Sequence, residues 1–330
     1  MAESVLLTGV AGFIPSHIAD VLLERGFRVI GVDDFSQGSQ ANLEHMKRNP
    51  RFELCEGDVR DQTLMRSLIQ RSEYVVHAAV RGLASSVQDP LIDLDVNTRA
   101  TLALLSLSVE RKVTRFVYAS SASVYGSPSR IPESESDCVG PLSPYAVSKL
   151  AGEQYSMVYH RMYELPVVCL RYFNTYGPRQ NVHSIYGGVV SIFIHRALTG
   201  QPLVVFGDGT QTRDFTYVGD IARATCDALT ASNAEGAVLN LGSGAETSVT
   251  TLATEVLKLI NPASSADAAS SIVYDSRRLV DNVARRCADI RRAAGLLGYK
   301  CKYGLREGLQ KTIEWYRTQP DIHDRDLFKP

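Results

Sequence analysis

Residues 143–149 read Ser-Pro-Tyr-Ala-Val-Ser-Lys, which sets Tyr145 and Lys149 four residues apart. That spacing puts a phenol and an ammonium on one face of a helix. Ser143 suits the N-cap and Pro144 the first helical position. A tyrosine titrates near ~10, too high for a base at neutral pH. A cation one turn away, and any positive charge carried by an oxidant in the site, would both favour the phenolate. A Tyr–Lys pair alone is also a common incidental feature of helices, so its weight depends on context. That context is "RFVYASSASVYG" (115–126), an apolar run ending in Ser120, Ser121 and Ser123. A serine emerging there can hydrogen-bond a substrate hydroxyl whose proton the tyrosine takes. The chemistry is the oxidation of an alcohol, or its reverse.

Such groups need a scaffold that brings strand ends together. Short apolar runs at 4–8, 27–34, 51–59, 74–80, 115–121 and 166–174 alternate with helical patterns such as Ile14, Ile18, Val21 and Leu22, which Gly26 stops. Uniformly apolar strands, each followed by a helix, predict an α/β fold: a doubly wound parallel sheet covered on both faces. Ligands sit at the carboxyl edge of such a sheet. The first strand runs into "TGVAGFIPSHIA" (8–19), in which Gly9 and Gly12 hold two places of a dinucleotide-binding fingerprint and Pro15 the third. The third place serves helix packing, and a proline in the first helical turn removes no needed donor. Donors at Gly12, Phe13 and Ile14 are expected to face the pyrophosphate. Asp33, 21 residues beyond Gly12, ends the second strand, where it would accept from both ribose hydroxyls and repel a 2′-phosphate. The cofactor expected is therefore NAD rather than NADP, with Asp58 placed to meet the adenine. Beyond about residue 176, glycine-rich polar turns crowd in, so 1–175 is read as the cofactor domain and 176–330 as a smaller substrate domain from which some elements return. "NPASSADAASS" (261–271) is read as a surface loop.

Bulk properties exclude other classes. The 35 basic and 36 acidic residues balance, which argues against nucleic acid as a partner. The N-terminus lacks the marks of a secretory signal, and no apolar run reaches the ~18 residues of a membrane span. Cys55, Cys138, Cys169, Cys226, Cys287 and Cys301 contain no CxxC pair. Neither a zinc site nor a disulfide framework is expected, and the plain reading is a reduced, cytoplasmic protein. His17, His183 and His195 lack metal spacing, and His77 reads as a core or cofactor-edge residue.

Over nearly its whole length the chain resembles the extended short-chain dehydrogenases/reductases, a Rossmann-fold family, and among them the nucleotide-sugar 4-epimerases. The likeness is carried by the glycine loop, "VDDFSQG", "EGDVRD", "HAAV", "SSVQDP", "VNTRATL", "SSASVYG", "SPYAVSK", "RYFNTYGPRQ" and "FGDGTQTRDFTYV" in fixed order. It implies Ser121 and Tyr145 at the reacting hydroxyl and Lys149 on the nicotinamide ribose, with Val59, Ala78 and Tyr172 further along the cofactor. It implies a UDP-sugar substrate held by Ser86, Ser123, Asn174 and Val190, with Val204 and Phe206 beside uracil. Arg213 and Arg278 would meet the diphosphate and Asp281 the ribose. The family also implies a homodimer built from helices near 90–110 and 144–163. The acid–base pair of the family's dehydratases and the glutamate of its decarboxylases are missing, since Ala122 and Ser123 stand there. What remains is oxidation and re-reduction at sugar C4, with NAD tightly bound. Arg286 or Arg285 falls where the family lines the sugar pocket. Either would crowd an N-acetyl group, so UDP-glucose/UDP-galactose or UDP-glucuronate/UDP-galacturonate is expected, the former pair favoured. The alternatives are a UDP-N-acetylglucosamine 4-epimerase or a nucleotide-sugar oxidoreductase.

Overall fold

The computed structural model describes residues 2–180, 188–262, 271–276 and 283–320. Its strands are β1 (Ser4–Thr8), β2 (Arg28–Asp33), β3 (Phe52–Glu56), β4 (Tyr74–His77), β5 (Arg115–Ser121), β6 (Val167–Tyr172), β7 (Asn174–Tyr176), β8 (Leu203–Phe206), β9 (Thr212–Arg213), β10 (Phe215–Tyr217), β11 (Ala237–Leu241), β12 (Thr247–Ser248) and β13 (Ile272–Asp275). The α-helices are α1 (Phe13–Glu24), α2 (Gln62–Gln70), α3 (Leu83–Gln88), α4 (Pro90–Asp93), α5 (Ala100–Arg111), α6 (Pro144–Tyr163), α7 (Val189–Leu198), α8 (Val218–Thr230), α9 (Val249–Ile260), α10 (Arg291–Leu297) and α11 (Leu305–Arg317).

Seven strands form one parallel sheet in the order β11-β6-β5-β4-β1-β2-β3. β1 is buried along its whole length, as expected of a strand covered on both faces. Ile18, Ala19 and Leu22 of α1 join Val5, Leu7 and Ile221 in the core on one face. Leu6, Ile30, Leu104 and Phe116 fill the other. The strand order reverses between β1 and β4, which opens a crevice at their carboxyl ends.

The chain beyond residue 176 divides its elements. α8 packs on α1 and β11 adds the seventh strand beside β6. β8, β13, α7, α9 and α11 surround a separate apolar core containing Phe193, Leu203, Leu252 and Ile313. This lobe stands on segments that leave and re-enter the sheet.

Candidate active site

The glycine turn lets backbone cross backbone. Gly9 has φ +72°, and a Cβ there would lie 2.8 Å from Ala79 Cα. Gly12 is the N-cap of α1, but its N–H donates to Gly9 O at 2.9 Å. Gly12 is therefore not a free donor, contrary to expectation. Phe13 and Ile14, the first two helical residues, have N–H groups with no partner inside the helix. Pro15 is the third helical residue, and the glycine N-cap has no side chain to accept a bond there. Proline thus removes a donor that would have lacked a capping partner.

Asp33 is 6% exposed and fixed from two sides. Its Oδ2 accepts Ala11 N–H and its Oδ1 accepts Phe35 N–H, both at 2.8 Å. Burial pushes this carboxyl upward while the two amides pull it down. Gly38, which the sequence reading passed over, packs beside it: a Cβ there would lie 2.9 Å from Asp33 Oδ1 and 2.7 Å from Ala11 Cβ. Asp58 is gripped by Arg60 through main-chain and side-chain N–H groups. Gly9, Gly12, Asp33, Asp58, Ala78 and Tyr172 line a groove of about 380 Å³, which also takes in Phe13, Ile14, Val59, Ser121, Tyr145 and Lys149. A groove that joins a close backbone turn to a fixed carboxylate fits a dinucleotide.

α6 brings Tyr145 and Lys149 to this groove. Ser143 caps it by accepting from Ala146 N–H at 3.2 Å, and Pro144 follows as expected. Ser86, expected on the substrate, is fully buried. Its hydroxyl donates to Leu83 O at 2.7 Å and accepts Tyr145 N–H at 3.2 Å, so it holds the start of α6. At the end of β5, Ser121 Oγ accepts from Ser123 N–H at 3.2 Å and from the Ser123 hydroxyl at 2.9 Å. Ser120 instead donates to Glu153 at 2.7 Å in a buried network with Arg171.

The electrostatics differ from the expected picture of an ammonium lowering the phenol. Burial pushes Tyr145 above its usual value; a hydrogen bond with Ser121 opposes this and Asp93 adds to it. Lys149 donates to Ala119 O at 2.7 Å, and burial drives its amine down to about 7 against the pull of Asp93. Burial thus weakens the lysine's charge without abolishing it, and Lys149 is not among the groups that act directly on the phenol. Among these residues, Ser121 is the group that favours the ionised tyrosine.

Asn97, in the π-helical turn 94–99, was missed. Its side chain accepts Arg81 N–H at 2.7 Å and donates to Arg81 O at 3.0 Å, which fixes the loop after β4 along the groove. "VNTRATL" contained it, but nothing local showed that its partner lay 16 residues earlier.

A second cavity, of about 80 Å³, is lined by Ser123, Gly126, Leu142, Tyr145 and Arg286, among others. Tyr145 therefore borders both spaces. Of the two expected arginines, Arg286 lines the chamber, while Arg285 pairs with Glu246 and is mostly exposed. Arg286 is 5% exposed; its guanidinium donates to the carbonyls of Ala122 and Gly126 and to Glu133 Oε2.

The remaining expected contacts are scattered. Val204 and Phe206 share the half-buried face of β8, opposite Leu203 and Val205. Arg213 donates to the carbonyls of Thr212 and Val283, both at 2.8 Å, whereas Asp220 pairs with Arg223. Asn174 is exposed on β7, and Val190 is buried in the lobe's core and lines neither cavity. Arg278, Asp281, His183 and most of 261–271 lie outside the described residues. His77 is a core residue between Thr8 and Thr101, its imidazole pushed down to about 3 by burial. Among the described residues no cluster of three or more His, Cys, Asp or Glu side chains could hold a metal ion.

Residues 5–242 match the model of the NAD-dependent epimerase/dehydratase family. The UDP-glucose 4-epimerase of Mycolicibacterium smegmatis is 37% identical over 95% of this chain and 98% of its own. The UDP-glucose 4-epimerase of Thermotoga maritima, solved with UDP-glucose, superposes with a TM-score of 0.87 at 34% identity, covering 95% of this chain and 98% of that one. The UDP-glucuronic acid 4-epimerase of Bacillus cereus, solved with UDP-glucuronic acid and NAD, gives 0.85 at 33% identity over 94% and 98%. With a glycine turn, a fixed acid and a Ser–Tyr–Lys set on a seven-stranded parallel sheet, this chain belongs to the NAD-dependent epimerase/dehydratase family.

Proposed function

We propose that this enzyme is an NAD-dependent UDP-sugar 4-epimerase whose preferred pair is UDP-glucose and UDP-galactose. The observation that carries this is the position of Tyr145, which lines both the cofactor groove and the chamber beside Ser123 and Arg286. Tyr145 takes the proton of the sugar C4 hydroxyl and returns it after the sugar has turned over. Ser121, fixed by Ser123, holds that hydroxyl and the phenol in register. Bound NAD supplies the hydride acceptor and donor, and the net redox change is zero. Phe13 and Ile14 present amides to the pyrophosphate, Asp33 holds the adenosine ribose, and Lys149 reaches the second ribose. Val204, Phe206 and Arg213 grip the nucleotide on the lobe's side, leaving the sugar to rotate.

Neutral hexoses are favoured because the Arg286 guanidinium is already bound to two carbonyls and a carboxylate. A sugar carboxylate would find a compensated charge there, and an N-acetyl group would meet the arginine's bulk. The exposed Leu91, Leu94, Val147, Val158 and Met162 lie on α4, the turn 94–99 and α6, which pack side by side. They support a homodimer through that face. All six cysteines are free, which suits a cytoplasmic enzyme, and no helix among the described residues is long and apolar enough to cross a membrane.

The test is incubation with UDP-glucose, UDP-galactose, UDP-glucuronate and UDP-N-acetylglucosamine, with products resolved chromatographically and kcat/KM measured. Interconversion of the first two at the highest kcat/KM is expected. A best rate on UDP-N-acetylglucosamine, or net consumption of external dinucleotide, would refute the reading.

A further inference from the structure

Glu133 is wholly buried although it lies in the polar stretch "RIPESESD". Its backbone pairs with a segment more than 150 residues away: Glu133 N–H donates to Cys287 O at 2.7 Å, and Glu133 O accepts Asp289 N–H at 2.8 Å. This short bridge flanks Arg286 and sets the Glu133 carboxylate beside its guanidinium, with Oε2 3.1 Å from Nη1. Glu133 Oε1 is buried without a hydrogen-bond partner. The other two anchors of Arg286, Ala122 O and Gly126 O, bracket the turn that carries Ser123.

A buried ion pair seldom stabilises a fold more than apolar residues of the same volume would, and an unpartnered carboxylate oxygen makes the balance worse. Packing alone therefore does not account for this pair. Its place does: Arg286 forms the chamber wall next to Tyr145, and Glu133 lies behind it, outside the chamber lining. We propose that Glu133 and Arg286 together set the specificity of the sugar chamber, Glu133 cancelling the arginine's charge so that the wall does not attract an anionic sugar. Glu133 touches no substrate; it acts through Arg286. This rests on the UDP-sugar epimerase reading and names the residues that tune its substrate preference.

The pair has a built-in dependence on pH. Burial pushes the Glu133 carboxyl up to about 7, opposed by Arg286 and Arg213 and helped by Asp214. Cys287 also faces it, but burial holds that thiol at about 12, so it stays neutral in this range. Asn240 meets only the Glu133 carbonyl. Protonating Glu133 leaves the charge of Arg286 uncompensated. The UDP group is common to both sugars, and so is any titration of Tyr145, so both cancel in a ratio of substrates.

The readout is the ratio of kcat/KM for UDP-glucuronate to that for UDP-glucose, with the same ratio from dissociation constants measured in parallel. For the native enzyme it should rise about threefold or more as pH falls from 8 to 6. Glu133→Gln should raise the ratio at pH 8 by about tenfold, a change of about 1.4 kcal/mol in relative binding. The double variant Glu133→Gln/Arg286→Gln should return it to the native pH 8 value and abolish its pH dependence. A native ratio flat between pH 8 and 6 overturns the proposal even where Glu133→Gln does not fold. So does a folded Glu133→Gln enzyme that epimerises UDP-glucose with an unchanged ratio. Failure of the native protein to epimerise any UDP-sugar is a separate result: it refutes the proposed function, while the ratio of dissociation constants still tests the pair.

Discussion

Asp33→Asn changes one atom in the carboxylate, and the structure gives the size of its effect. Both oxygens accept a backbone N–H at 2.8 Å, one from Ala11 inside the glycine turn and one from Phe35 after β2. An asparagine has a single acceptor oxygen, so its NH2 must face one of those donors. In a site only 6% exposed, the stranded amide loses its partner, at about 1–3 kcal/mol. Either orientation disturbs the groove: one loosens the turn at Ala11, the other the loop that carries Gly38. The cost of the stranded amide is present with and without cofactor and falls on stability; NAD affinity should fall roughly tenfold to a hundredfold because the ribose hydroxyls lose a charged acceptor worth about 1.5–3 kcal/mol. NADP should lose less, because the charge that repels its 2′-phosphate is gone. The NADP-to-NAD ratio of dissociation constants should therefore drop about tenfold or more, and the carboxylate of Asp34, which also lines the groove, keeps it from inverting. Fluorescence titration of both reduced cofactors into the cofactor-stripped protein measures this. An NAD constant within about threefold of native, with an unmoved preference, would place the ribose contact elsewhere.

Two further outcomes follow from the same geometry. Tyr145→Phe should cut epimerisation by about 10²–10⁴-fold while NAD binding persists, because the phenol supplies the base and not the groove's shape; turnover above about a hundredth of native would remove it from that role. Gly9→Ala places a Cβ at φ +72° and 2.8 Å from Ala79 Cα, where neither backbone can yield cheaply. The left-handed conformation costs about 1–2 kcal/mol and the overlap about 1–3 kcal/mol more. Both the melting temperature of the cofactor-free protein and its NAD affinity should fall, and no change in either would contradict the packing described.

What the sequence revealed depended on how far apart the interacting residues lie. The strands ending at Thr8 and Ser121 announced themselves as apolar runs, because each is buried on both faces. Tyr145 and Lys149 are one helical turn apart, so their alignment needed only a helix and the Ser143–Pro144 start. β11 was hidden within a glycine-rich, turn-like stretch, since a five-residue strand such as Ala237–Leu241 is defined by its pairing with β6 rather than by its own pattern. The direction of the Lys149 amine was not visible either. Its partner, Ala119 O, is a main-chain atom 30 residues earlier, and its lowered basicity is a property of the packed interior.

Glu133 is the furthest case. Among prolines, serines and acids it reads as a solvated loop residue, and only the pairing with Cys287–Asp289 takes it out of water. Burying a carboxylate requires a cation already held in place, and here that cation comes from the same distant segment as the backbone partners. Arg286 likewise reads from the sequence only as a long side chain lining the sugar pocket, until its three acceptors are known. Residue types close in sequence thus identify the reaction. On the proposed reading, the sugar accepted depends on whether a charge in the wall is compensated, and the contacts that compensate it join segments some 150 residues apart.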